Sequence, residues 1–157
     1  MRLADIRGVF EHSPWVAERA WPRGPFASLH ELHSAMMAEV HNASMEDKLA
    51  LISAHPELAG KEASEGSLTA DSSTEQGRLG FTRLSPEEFR RMSRLNAAYR
   101  EKFGFPCIVA LRLHDTRQSV MEEMEKRLNR TREEEIRTAL EQIGHITRGR
   151  LEKLWAS

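Results

Sequence analysis

The chain has a single cysteine, Cys107, and a lone thiol cannot bridge within its own molecule, so no disulfide framework stands behind the fold. Tyrosine is as scarce, at one residue. No apolar run comes near the length of about 18 residues that a membrane-spanning helix needs. Neither sign of charge prevails: 23 Lys and Arg stand against 24 Asp and Glu, for a net charge of −1. Affinity for nucleic acid rests largely on neutralising phosphates, and this balance holds no surplus for it. The opening MRLADIRGVFEH is charged throughout, unlike a secretory leader, and the closing LWAS is not a peroxisomal address. A cytoplasmic protein that binds neither nucleic acid nor membrane is the expectation.

What the chain has in quantity is helix punctuation. SPWVAERAW offers Ser13 as a cap and Pro14 at the first helical position, and WPRGP stops the run. SLHE, at 28–31, has capping-box spacing, with Leu29, Leu32, Met36 and Val40 following at helical intervals. SMED, at 44–47, repeats the device, and Pro56 ends that helix by forcing His55 toward extended geometry. GKEASEGSLTAD, at 60–71, reads as a mobile connecting loop; Ser72 and Glu75, again at capping-box spacing, restart a helix weakened by Gly77 and Gly80.

The clearest helix is SPEEFRRMSRLNAAYREKFG, with Ser85 as cap, Pro86 first and Gly104 just past the end. Phe89, Met92, Leu95, Asn96 and Tyr99 share one of its sides. CIVALRL then looks strand-like but has no second strand to pair with, which leaves a buried extended connection or the start of a buried helix. Val120, Met124 and Leu128 mark another helix, and Ile136, Leu140, Ile143, Leu151 and Leu154 a long last one. These add up to an all-α fold of about seven or eight helices in one compact domain over residues 1–157. Lys126, Arg127, Arg130, Arg132 and Arg137 alternate with Glu122, Glu123, Glu125, Glu133, Glu134 and Glu135, as salt pairs on helix surfaces do.

Several residues invite chemistry. His30 and His33 lie three apart and His41 further along, but no His-Glu-x-x-His or Glu-x-x-His pattern accompanies them, so no metal is expected. Cys107 sits in an apolar run where a thiol packs. His55 either caps its helix end, packs in the core or faces a site. Glu75 either closes its own helix start or joins the free N–H groups there in binding a polar ligand. Arg150 lies on the last helix beside Leu151, at the surface or in a site.

In this order and spacing, FEHSPWVAERAW, AHPELAGK, LTADSSTEQ, SPEEFRRMSRLNAAYREKFGFPCIVA and the Arg-Leu at 150–151 resemble the OHCU decarboxylases over essentially the whole chain. That family converts 2-oxo-4-hydroxy-4-carboxy-5-ureidoimidazoline (OHCU), an intermediate of urate breakdown, to (S)-allantoin and CO2. The resemblance implies a helical carboxy-lyase that needs neither metal nor organic cofactor and acts as a homodimer on a small ureidoimidazoline. His55 matches the family's catalytic acid–base histidine. Glu75 matches the carboxylate beside it, expected to orient the imidazole and accept from substrate N–H groups. Arg150 matches the family's arginine before the Leu of the last helix, expected to clamp a carboxylate or carbonyl, with Arg148 as the competing assignment. Pro56, Ser72, Ser73, Thr74 and Gln76 fall at substrate-binding positions, as does the backbone of Cys107, Ile108, Val109, Ala110 and Leu111. Cys107 stands where the family usually has a large aromatic, and RLHDTRQ replaces a glycine-containing turn. A decarboxylase of a related ureido acid, or a helical module that only binds, are the alternatives.

Overall fold

A computed structural model describes residues 1–156, and among them every regular element is helical. Two short helices come first, α1 (Leu3–Ile6) and α2 (Trp15–Ala20), followed by a 3-10 turn at Trp21–Arg23. Ser13 does not cap α2. Pro14 holds the N-cap position, and His12, at φ +49, turns the backbone just ahead of it, leaving Ser13 and Glu11 buried.

Serine hydroxyls open the next two helices as predicted. Ser28 accepts from the Glu31 N–H at the start of α3 (Leu29–Asn42), and Ser44 from the Asp47 N–H at the start of α4 (Met45–Ser53). The expected loop at 60–71 is instead half helical. Lys61–Glu65 forms α5, closed by Gly66 at φ +71, so the two glycines bound a helix of good helix formers. The following α6 (Ala70–Arg78) is capped by Thr69, three residues ahead of the predicted Ser72. Ser72 and Glu75 therefore sit inside the helix, with their side chains released from capping.

The longest expected capping box is present: Ser85 and Glu88 exchange hydrogen bonds at the start of α7 (Pro86–Phe103), and Gly104 ends it at φ +83. Phe89 on its first turn is exposed, beyond the edge of the core. Residues 106–110 run extended into a 3-10 turn at Leu111–Leu113, then come α8 (Arg117–Arg127) and α9 (Arg132–Ala156). The two short helices α1 and α5 bring the α-helices among the described residues to nine, above the count of seven or eight.

The long α9 is the spine. Its stripe of Ile136, Ala139, Leu140, Ile143, Thr147 and Leu151 is buried, and α3, α4 and α7 pack against it, with α2 on α3 and α8 on α7. No helix among the described residues is long and apolar enough to cross a membrane. One charge expectation fails. Arg127 and Glu135 are 2% and 0% exposed, with Arg127 Nε donating to Glu135 at 2.7 Å and the Tyr99 hydroxyl donating to the same carboxylate. Both α8 and α9 pack on α7, so charges on their inner sides face protein rather than water. Arg91 of α7 and Glu125 of α8, further out, make a partly exposed pair.

Candidate active site

His55 lies just past the end of α4, with its ring fixed by that helix: Nδ1 lies 2.9 Å from the Leu51 carbonyl. A carbonyl oxygen only accepts, so Nδ1 carries the proton and Nε2 is the free lone pair. That Nε2 is buried and has no hydrogen-bond partner. Burial, opposed by the Leu51 bond and the charge of Glu11, lowers the imidazole pKa from 6.5 to about 4, which keeps the ring neutral at physiological pH.

The HPELAG segment that follows is clamped by side chains from two helices. Gln76 accepts from the Ala59 N–H at 2.9 Å and donates to the Glu57 carbonyl at 3.4 Å. Asn96 donates to the Leu58 carbonyl at 2.8 Å, and Arg100 pairs with the Glu57 carboxylate. Ala59 itself sits at φ +51, a conformation such clamps stabilise. The opposite wall is the extended run after Phe105. Arg127 Nη1 donates to the Ile108 carbonyl at 2.5 Å, Gln142 accepts from the Ala110 N–H at 2.8 Å, and Arg78 donates to the Leu111 carbonyl.

Between these walls lies a pocket of about 40 Å³, room for roughly one water molecule. His55, Pro56, Ser72, Glu75, Gln76, Cys107, Ile108, Val109, Leu111 and Arg150 line it, together with Leu58 and Ile146. The Cys107 thiol is pushed up to about 12, chiefly by burial, so it is protonated and unreactive there. A larger hollow of about 560 Å³, between Trp21, Phe26, Leu32 and Trp155, has no ionisable side chain in its lining. Chemistry, not size, singles out the small pocket.

Its polar floor is a buried charge cluster. Arg150 makes a two-point contact with Glu75, Nε and Nη2 each 2.9 Å from a carboxylate oxygen. Nη1 donates to Glu11 at 2.9 Å and to the Val9 carbonyl at 3.2 Å, and Nη2 reaches Ser72 Oγ at 3.3 Å. Burial disfavours the guanidinium charge, but the bonds and charges of Glu75 and Glu11 outweigh it and raise the pKa further.

A family model described as OHCU decarboxylase matches residues 2–152. The chain belongs to the OHCU decarboxylase family. A relative from Halalkalicoccus jeotgali, named 2-oxo-4-hydroxy-4-carboxy-5-ureidoimidazoline decarboxylase, is 40% identical over 154 residues, covering 98% of this chain and 85% of its own. One of the same name from Mus musculus is 37% identical over 153 residues, covering 97% and 85%. Among solved structures, an (S)-allantoin synthase superposes with a TM-score of 0.75 at 31% identity, over 96% of this chain and 48% of that one. An OHCU decarboxylase crystallised in the presence of (S)-allantoin shares the fold, with a TM-score of 0.76 over 98% of this chain and 99% of that one, at 22% identity.

Against the residues expected for an OHCU decarboxylase, the fold gathers most of the set and leaves some out. Ser73 and Thr74 face outward on α6, and Ala110 is buried with its N–H turned to Gln142, outside the pocket lining. Arg150, and not Arg148, enters the pocket; Arg148 pairs with Glu152 near the surface. The imidazole is oriented by the Leu51 carbonyl, whereas Glu75 pairs with Arg150. Neither His30 nor His33 joins the site: His33 contacts Thr147, and His30 faces Arg148. Glu11 escaped sequence reasoning altogether. Its one signal is its place in the FEHSPWVAERAW segment, directly after the apolar Val9 and Phe10, which the fold buries.

Proposed function

We propose that the chain decarboxylates OHCU to (S)-allantoin, with His55 as the proton carrier. The observation that carries this reading is the unpartnered Nε2 of His55, held by the Leu51 bond and lining the same pocket as Arg150 and Glu75. An imidazole protonated on Nδ1 and neutral overall enters the reaction as a base.

The substrate carries a hydroxyl and a carboxylate on one ring carbon, next to the C=N carbon bearing the ureido group. When the carbon–carboxylate bond breaks, CO2 leaves and the electron pair moves into the ring, ending on the imine nitrogen, which takes a proton from solvent. His55 Nε2 accepts the hydroxyl proton, so that the ring carbon becomes a carbonyl. The imidazolium then gives this proton to one face of the ureido-bearing carbon and returns to neutral. One proton from solvent replaces the lost carboxylate, and the fixed ring of His55 sets the handedness of the product. Electrons flow within the substrate, and the protein supplies position and charge.

Arg150 clamps the carboxylate through its planar fork, a geometry lysine does not offer. Glu75, half-buried at the pocket's edge, accepts from ureido or ring N–H groups. Gln76 serves this site through the loop it clamps, and the Cys107–Leu111 backbone forms the facing wall. A cytoplasmic homodimer completes the reading.

The test is circular dichroism during urate oxidation with uricase and hydroxyisourate hydrolase present. His55→Asn should slow formation of the (S)-allantoin signal by about 10²- to 10⁴-fold, the usual worth of a positioned acid–base residue. Wild-type turnover in that variant would remove His55 from the mechanism.

A further inference from the structure

All five N–H groups of Arg150 are engaged, shared among Glu75, Glu11, Ser72 and the Val9 carbonyl. A substrate carboxylate reaches this fork only by taking the place of one of the two glutamates. They are not equivalent. The Glu75 side chain is 32% exposed, and among the described residues its hydrogen bonds all go to Arg150. Glu11 is 2% exposed and is held at four points: by Arg150, by Ser72 Oγ at 2.9 Å, and by Thr69 Oγ1 at 3.0 Å from each of its oxygens. Thr69 is also the cap of α6, so Glu11 ties the turn before α2 to the start of α6 and to α9. Burial works against its ionisation, but Arg150's charge and the bonds from Ser72, Arg150 and Thr69 keep the carboxyl below its usual range.

We propose that Glu11 is a positioning residue for the decarboxylation, the fixed anion that holds Arg150 aimed into the pocket while a substrate carboxylate displaces the exchangeable Glu75. This rests on Arg150 acting as the carboxylate clamp. Glu11 itself touches no substrate, because Arg150 and the start of α6 stand between it and the pocket, whose lining does not include it.

Glu11→Gln tests this. Glutamine keeps the size and can still accept from Arg150, but it removes the charge that Glu75 cannot replace once released. The expected result is a KM for OHCU raised about ten-fold, in line with losing one charged hydrogen bond, with kcat within about three-fold of wild type. Glu11→Asp, which keeps the charge on a shorter arm, should show a smaller rise in KM. A carboxylate that acted only as bulk negative charge would repel an anionic substrate, and its removal would lower KM. An unchanged or lowered KM in Glu11→Gln therefore overturns the proposal. So does a kcat that falls with the folded fraction while KM stays put. If Glu11→Gln does not fold, a wild-type KM in Glu11→Asp has the same force. A wild-type enzyme that leaves OHCU untouched overturns the underlying function and this role with it, whereas an active wild type isolates Glu11.

Discussion

The proton on His55 Nδ1 is held by a carbonyl of the preceding helical turn, and burial keeps a second proton off Nε2 until the pH approaches 4. In the unfolded chain the same side chain titrates near 6.5. As the pH falls through this window the unfolded state takes up a proton that the folded state refuses. Stability is therefore full above about 6.5 and is lost progressively toward 4. Between pH 7 and pH 5 this linkage is worth about 2 kcal/mol. His33, lowered to about 4 mainly by burial and then by the charge of Arg148, loses stability over the same range, so wild type alone cannot separate the two. Urea denaturation of wild type and His55→Asn at both pH values does so: the wild type should lose about 2 kcal/mol more than the variant. Equal losses would mean that His55 is not a neutral, buried imidazole. The His55-Pro56 pair made the helix end legible, because proline's constraint on its predecessor is local. The neutrality of the ring was not legible, since it depends on walls contributed by residues 17 to 95 positions downstream.

At the level of elements, capping signals reported the helix starts faithfully where they involve only neighbours, as at Ser28, Ser44 and Ser85. They failed at Ser72, where Thr69 offered an equally good hydroxyl three residues earlier and freed Ser72 for Glu11. The charge alternation near the C-terminus failed for a related reason. Spacing does not separate Arg127 and Glu135 from the other charges of that run, and only packing on α7 decides which of them lose their water. That decision matters for the site, because Arg127 also holds the Ile108 carbonyl of the pocket wall. Removing one partner of a buried pair strands the other, at a cost of about 3 to 5 kcal/mol, whereas a partly exposed pair is worth under about 1 kcal/mol. Arg127→Met should accordingly destabilise the protein by several times as much as Arg91→Met in urea titrations. The double replacement Arg127→Met with Glu135→Leu should recover much of the loss, since no charge is then left buried. Equal costs for the two single variants would place Arg127 in solvent.

For the whole molecule, the site is a place where distant segments meet: the end of α4, α6, the 107–111 wall and α9. Helical periodicity alone could have separated Arg150 from Arg148, because Ile143, Thr147, Arg150 and Leu151 follow one buried stripe that Arg148 leaves. No local pattern shows that this stripe meets α6 through Glu75 and the turn before α2 through Glu11, and there the family resemblance, not spacing, pointed to the site. A ligand that bridges these segments stabilises the fold as a unit, whereas one bound to a single surface helix would not. Arg150 and Glu75 both line the pocket and are bound to each other, so a ligand that takes the guanidinium must part them. Binding to the folded state alone adds about 2.7 kcal/mol at a hundred times Kd. For a chain of this size that raises the melting temperature by about 5 to 10 °C. (S)-Allantoin, the product, should give such a shift as its concentration rises, and Arg150→Met should weaken it because the guanidinium donors for the ligand's carbonyl oxygens are gone. A wild-type midpoint indifferent to (S)-allantoin, with the same chain active on OHCU, would mean that the closed cluster admits the anionic substrate and expels the neutral product. A midpoint indifferent to it in an inactive chain would leave a helical module that binds something else.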